Sequence, residues 1–154
     1  MAYVGGSQAP AGCIFCEALA AQDDTKLLVL HRSHHAYLIL NAYPYVAGHL
    51  MAVVNRHVGD LEAAETDELA DAMALVKLAT SALKAEYRPD GFNVGINIGS
   101  AAGAGIRDHL HIHVVPRWSG DANFMAVVGD VRVIPEALDA TYQRLRRRLD
   151  APAG

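Results

Sequence analysis

His109-Leu110-His111-Ile112-His113-Val114-Val115 alternates imidazoles with aliphatic side chains. Residues two apart on a β-strand share a face. As a strand over 109–115, this stretch puts three imidazoles on one side and Leu110, Ile112 and Val114 on the other, into a core. Three imidazoles on one face are costly unless an anion or a metal uses them. The bland alternative is a histidine-rich strand facing water. Directly upstream lies Gly99-Ser100-Ala101-Ala102-Gly103-Ala104-Gly105-Ile106-Arg107-Asp108, a ten-residue loop rich in Gly and Ala. Glycines let a backbone approach a ligand and turn successive N–H groups toward an anion. Alone, such a loop reads as ordinary surface. Set against the histidine strand, it has the makings of a phosphate cradle.

The flanking sequence supplies a sheet for that strand. Residues 27–31 and 36–40 are apolar runs separated by Arg32-Ser33-His34-His35, the pattern of a hairpin. A loop punctuated by Pro44 and Gly48 follows, then a third strand over 49–54. Thr66 is placed to cap a long helix with Asp67 and Glu68 in its first turn. Leu69, Met73, Val76, Ala79 (or Thr80) and Leu83 form its expected core stripe, and Pro89 ends it. A strand over 92–98, the histidine strand, a further strand over 127–134 and a last helix from Pro135 to about Leu149 complete the order. Residues 13–21 read as a short helix and residues 1–12 as a flexible arm. The expected class is α+β: an antiparallel sheet of about five strands, a long helix packed on it, and a C-terminal helix.

The chain has 154 residues, which suits one domain, placed at 13–150. Apolar residues make up 52% and charged residues 19%, a globular composition, and the net charge of −4 argues against an electrostatic nucleic-acid binder. No apolar run approaches membrane-spanning length, and residues 1–12 lack a signal-peptide pattern, so the default compartment is the cytoplasm. The two cysteines stand as Cys13-Ile-Phe-Cys16. That spacing suits half of a zinc site or a redox pair, and two free buried thiols are the plain alternative.

Together these features resemble the histidine triad (HIT) family. Residues 109–115 match its three-histidine signature. Asn41-Ala-Tyr-Pro44-Tyr-Val-Ala-Gly48-His49 is similar to its ribose-binding stretch, and Arg56-His57-Val58, the long helix and Asn97 fall in its order. The segment Pro116-Arg117-Trp118-Ser119-Gly120-Asp121-Ala122-Asn123-Phe124 resembles the diadenosine tetraphosphate (Ap4A) phosphorylase-like branch, as part of a C-terminal extension from about residue 116.

The resemblance implies a double displacement at a nucleotide α-phosphorus. His111 would be the nucleophile, with its other ring nitrogen donating to a backbone carbonyl. His113 would contact a phosphate oxygen and assist the leaving group, and His49 would stand behind the phosphate. Backbone N–H groups near Gly103 and Gly105 would receive the nonbridging oxygens. Asn41 would hold the ribose hydroxyls and Asn97 a phosphate or the ribose edge, while Trp118 is divided between packing and a base contact. Water would complete hydrolysis, and inorganic phosphate would complete phosphorolysis to ADP and ATP. The resemblance further implies a structural zinc on Cys13, Cys16, His57 and His109, no organic cofactor, and a homodimer.

One departure stands out. Hydrolytic branches carry Gln and then Ser or Thr four and three residues before the first triad histidine. Here those positions hold Gly105 and Ile106. A side-chain donor to the bridging oxygen is missing, which fits the phosphorylase-like branch. Release of AMP by hydrolysis, and nucleotide binding with little turnover, remain the alternatives. His31, His34 and His35 read as hairpin residues without chemistry. Asp121 and Asn123 read as turn formers that would otherwise approach phosphates, and Arg144, Arg146, Arg147 and Arg148 as a solvated face pairing with acids.

Overall fold

A computed structural model describes residues 12–121 and 136–151. The arm at 1–11, Asn123, the strand expected over 127–134 and Pro135 lie outside the described residues.

Among the described residues five strands form one antiparallel sheet: β1 (Val29–Arg32), β2 (Ala36–Leu40), β3 (Leu50–Val54), β4 (Gly91–Gly95) and β5 (His111–Arg117). Their spatial order is β1-β2-β3-β5-β4. The histidine strand therefore lies inside the sheet, and β4 takes the edge. Among the described residues three α-helices accompany them: α1 (Ile14–Ala20), α2 (Thr66–Tyr87) and α3 (Leu138–Asp150). The class is α+β, as expected. Among the described residues no helix is long and apolar enough to cross a membrane.

Strand periodicity divides the sheet into two working faces. Leu38, Leu40, Leu50, Ala52, Val54, Ile112 and Val114 point to one side and pack with Ala72, Val76, Ala79 and Leu83 of α2. The residues between them point the other way: Tyr37, Ile39, Met51 and Val53 pack with Phe15 and Ala18 of α1. The register carries this division across the strands, since Ala52 faces Ile112 while Met51 faces His113 and Val53 faces His111. Imidazoles and α1 thus share one side, and α2 holds the other.

Several boundaries differ from expectation. β5 begins at His111 rather than His109, although Leu110 O still accepts from Val54 N–H at 3.2 Å. β4 stops at Gly95, short of the expected Ile98. Thr66 is the first helical residue of α2, and Glu65 caps it in a capping box, with the Glu68 carboxylate accepting from Glu65 N–H at 2.8 Å. Met73 does not belong to the core stripe. It is 54% exposed, and Ala72 takes its place with Leu75 and Ala82 beside Val76, Ala79 and Leu83. One residue is about 100° around a helix, enough to turn Met73 from sheet to solvent. The arginine run of α3 does pair with acids: Arg144 and Arg148 both reach Glu86 of α2, and Arg144 also meets Glu136.

The loop from β2 to β3 turns at Gly48, where φ is +81°. A Cβ there would lie 2.8 Å from Leu83 Cδ2. Glycine is needed both for the backbone conformation and for the close approach to α2.

Candidate active site and metal centre

A cleft of about 680 Å³ opens on the imidazole face, within the usual size of a small-molecule site. Its apolar lining includes Ile14, Phe15, Ala18, Leu27 and Ile39. Its polar lining includes Asn41, Asn97, His111 and His113, with Gly103 and Gly105. These six expected residues come from the position just after β2, the segment after β4 and β5 itself, and the sheet order brings them together. Trp118 is absent from these walls. Its backbone N–H donates to Asp121 Oδ2, and Asp121 also pairs with Arg117 at 2.6 Å, in a turn that Ser119 N–H ties to Asp90. His49 is not a wall residue either. It is 1% exposed and stands behind His113.

Hydrogen bonds fix which nitrogen of each imidazole carries the proton. His111 Nδ1 lies 2.8 Å from His109 O. A carbonyl only accepts, so Nδ1 bears the hydrogen and Nε2 keeps its lone pair. The opposite holds next door. Tyr45 N–H donates to His49 Nδ1 at 3.2 Å, and the Asn41 amide nitrogen lies 3.3 Å from that same atom. His49 Nδ1 is thus an acceptor, and His49 Nε2–H donates to His113 Nδ1 at 3.0 Å. The proton of His113 is then on Nε2. Two adjacent rings, 4.9 Å between centroids, therefore carry a base at one Nε2 and an N–H donor at the other.

Electrostatics keep these rings neutral. Burial holds His111 and His113 below the ordinary imidazole range, and neighbouring His111 lowers His113 further. His49 is pushed down to about 4 by burial first and by His113 second. Neutral imidazole is the nucleophilic form.

The glycine loop treats its two expected N–H donors differently. Gly103 sits at φ +83°, closing a short 3₁₀ turn over Ser100–Ala102, and its N–H is taken by Ser100 O at 3.1 Å. Of the two glycines expected to donate, Gly105 is the one whose N–H has no partner among the described residues. Gly59 pins the end of this loop, since a Cβ there would come within 2.6 Å of Arg107 O.

A second cluster lies at the start of the same strand. Cys13, Cys16, His57 and His109 offer four ligand atoms within 4.8 Å of one another. His109 Nδ1 is 3.3 Å from Cys13 Sγ and 3.5 Å from Cys16 Sγ, and His57 Nδ1 is 3.4 Å from Cys16 Sγ. A tetrahedral zinc with Zn–S of about 2.3 Å and Zn–N of about 2.0–2.1 Å separates sulfur from nitrogen by about 3.6 Å, so the four fit. His109 Nε2–H donates to Val54 O at 2.6 Å, which leaves Nδ1 free to ligate and supplies the outer partner that metal-bound histidines have. Burial and Cys13 push the Cys16 thiol up to about 11, and a cation among the four would favour its thiolate.

Phe15, between the two cysteines, was not singled out by sequence. It lies edge-on to His109 and tilted over His111, with centroids 5.4 and 4.9 Å away, and its carbonyl accepts from Tyr37 OH at 2.8 Å.

Comparison with known proteins accounts for this combination. The model of the HIT domain matches residues 22–120, and the chain belongs to the HIT family. It is 47% identical over 122 residues to a Mycobacterium tuberculosis protein named AP-4-A phosphorylase, across 79% of this chain. The chain spans 63% of that relative's length. It is 31% identical over 109 residues to an uncharacterized HIT-like protein of Methanocaldococcus jannaschii, across 71% of this chain and 81% of the relative. A zinc-bound histidine triad family protein from Mycobacterium smegmatis superposes with a TM-score of 0.73 at 26% identity, covering 90% of this chain and 93% of the other.

Proposed function

We propose that this chain is a nucleotidyl-transferring enzyme acting on an adenine dinucleoside polyphosphate, and that its reaction is phosphorolysis of Ap4A to ADP and ATP. The carrying observation is the pair of tautomers: a lone pair on His111 Nε2 beside an N–H on His113 Nε2, in a cleft with both polar and apolar walls. His111 Nε2 forms a bond to the α-phosphorus as the bond to the bridging oxygen breaks. The leaving ATP oxygen is met by the His113 N–H. A phosphate oxygen then attacks phosphorus, the P–N bond breaks, and ADP leaves. The Gly105 N–H is available to the nonbridging oxygens, Asn97 to a phosphate, and Asn41 to the ribose. His49 acts through His113 as a positioning residue. Support for phosphate as acceptor comes from Gly105 and Ile106, which stand where hydrolytic relatives carry side-chain donors, and from the name of the 47% identical relative.

The same proposal puts a structural zinc on Cys13, Cys16, His57 and His109, where it ties α1 to the segment leading into β5. Residues 13–150 form one unit, and two copies form a homodimer. The exposed edge of β4 with Val94, the exposed Ile98 beyond its end, and the outward Met73 and Leu78 of α2 support that pairing. Free thiols in a Cys₂His₂ set suit a reducing compartment, the cytoplasm.

The test is product analysis with Ap4A, with and without inorganic phosphate, plus mass spectrometry of the quenched protein. ADP that appears only with phosphate, and an adenylyl group on His111, are expected. AMP as product at every phosphate concentration makes the protein a hydrolase. Tight AMP binding without turnover or adduct makes it a binding module.

A further inference from the structure

A dinucleoside substrate has two bases, and the cleft's apolar walls, with Phe15 against His111, suit one nucleoside beside the reacting imidazole. With one nucleoside seated there and its α-phosphate at His111, the polyphosphate and the second nucleoside must leave by the mouth. At that mouth stands Tyr43, which lines the cleft and is 85% exposed, the most exposed large apolar side chain among the described residues. Its neighbour Tyr45 behaves differently, since that ring lies against His49 with centroids 4.6 Å apart. Tyr43 has no ring partner and no side-chain hydrogen bond among the described residues.

The loop that carries Tyr43 is tied down at each end. Tyr43 N–H donates to Asn41 Oδ1 at 3.0 Å, Asn41 N–H to His49 O at 3.0 Å, and Tyr45 N–H to His49 Nδ1 at 3.2 Å. Pro44, itself buried, fixes the backbone immediately after it. The ring is thus presented outward by a constrained backbone. A tyrosine held in this way offers a large flat surface with two torsions to immobilise on binding. The same Asn41 that faces the first ribose orients it, so the platform has a fixed relation to the bound nucleotide.

We propose that Tyr43 is the stacking platform for the second base of a dinucleoside polyphosphate, and so a specificity residue that separates dinucleoside from mononucleoside substrates. This rests on the proposed activity at His111. Stacking a base on an aromatic ring tolerates any base, so the platform selects for the presence of a second nucleoside rather than for its identity.

The test compares Ap4A with adenosine 5′-tetraphosphate, which has the same chain of phosphates and lacks the second nucleoside. Steady-state kinetics are measured on the full chain for wild type, Tyr43→Ala, Tyr43→Phe and Tyr43→Trp. Tyr43→Ala is expected to raise KM for Ap4A relative to that for adenosine tetraphosphate by about 5- to 150-fold, the range for loss of one base stack. Phe and Trp are expected to restore the wild-type ratio. An equal rise for both compounds places the ring on the first nucleotide and overturns the proposal, as does an unaltered ratio. If wild type turns over neither compound, the proposed activity fails while the platform is still read from the ratio of the two dissociation constants by calorimetry, with the same expected and overturning results.

Discussion

Acidification should unfold this protein partly through His49, and His49→Gln isolates that contribution. His49 is buried, accepts from Tyr45 N–H and donates to His113, so its native form is neutral. Its pKa lies at about 4, against 6.5 for an ordinary histidine. The unfolded chain therefore takes up a proton as pH falls through 6.5, and the native state does not until about 4. Stability is full above the unfolded value and is lost on the way down, by at most about 1.4 kcal/mol per pH unit for one such group. Over the two and a half units between these values, His49 contributes a loss of about 3 kcal/mol. A glutamine amide can accept from Tyr45 N–H with its oxygen and donate to His113 with its nitrogen, and it does not titrate. The assay is urea denaturation at constant ionic strength, from neutral pH down to about 4. His109, His111 and His113 are also depressed and steepen the profile of both proteins, so the difference between the two curves belongs to His49. Identical pH profiles for wild type and His49→Gln would refute the assigned proton inventory.

Four further outcomes follow from other contacts. Gly48→Ala puts a methyl 2.8 Å from Leu83 Cδ2 at a positive φ, and thermal denaturation should show a loss of about 1–3 kcal/mol. Glu68→Ala removes the acceptor for Glu65 N–H and the partner of Arg56 at 2.8 Å, costing about 1–3 kcal/mol by urea denaturation. Purified wild type should carry one zinc per chain by plasma emission, and Cys16→Ser should lose it and melt earlier; a metal-free wild type with an unaltered melting temperature in the variant contradicts the site. Val94→Lys places a charge on the exposed β4 edge and should convert a dimer to monomers in sedimentation velocity, with the fold retained by circular dichroism.

Much of the site was legible because strand periodicity is rigid. Alternation over residues 109–115 is enough to send His111 and His113 one way and Ile112 and Val114 the other, whatever the rest of the chain does. Helix faces are less sharply encoded in an alanine-rich segment. Met73 reads as core by spacing, yet small Ala72 lets α2 approach the sheet, and packing prevails over side-chain hydrophobicity. The role of Gly103 was beyond reach for a different reason. Composition shows that a loop can offer N–H groups, but only the formed turn shows that Ser100 O has already taken this one. The tautomers of His49 and His113 were equally hidden, because they depend on Tyr45 N–H, an amide that every residue except proline possesses.

The two-faced sheet also governs how the chain can vary in length. Inserting one residue within β5 would rotate the following imidazoles toward α2 and send aliphatic groups into the cleft, exchanging reactive and structural roles along the remainder of the strand. Substitutions there act one at a time, whereas a single insertion acts on both layers together. A change of length in a turn outside the ladder leaves both faces of the sheet as they are.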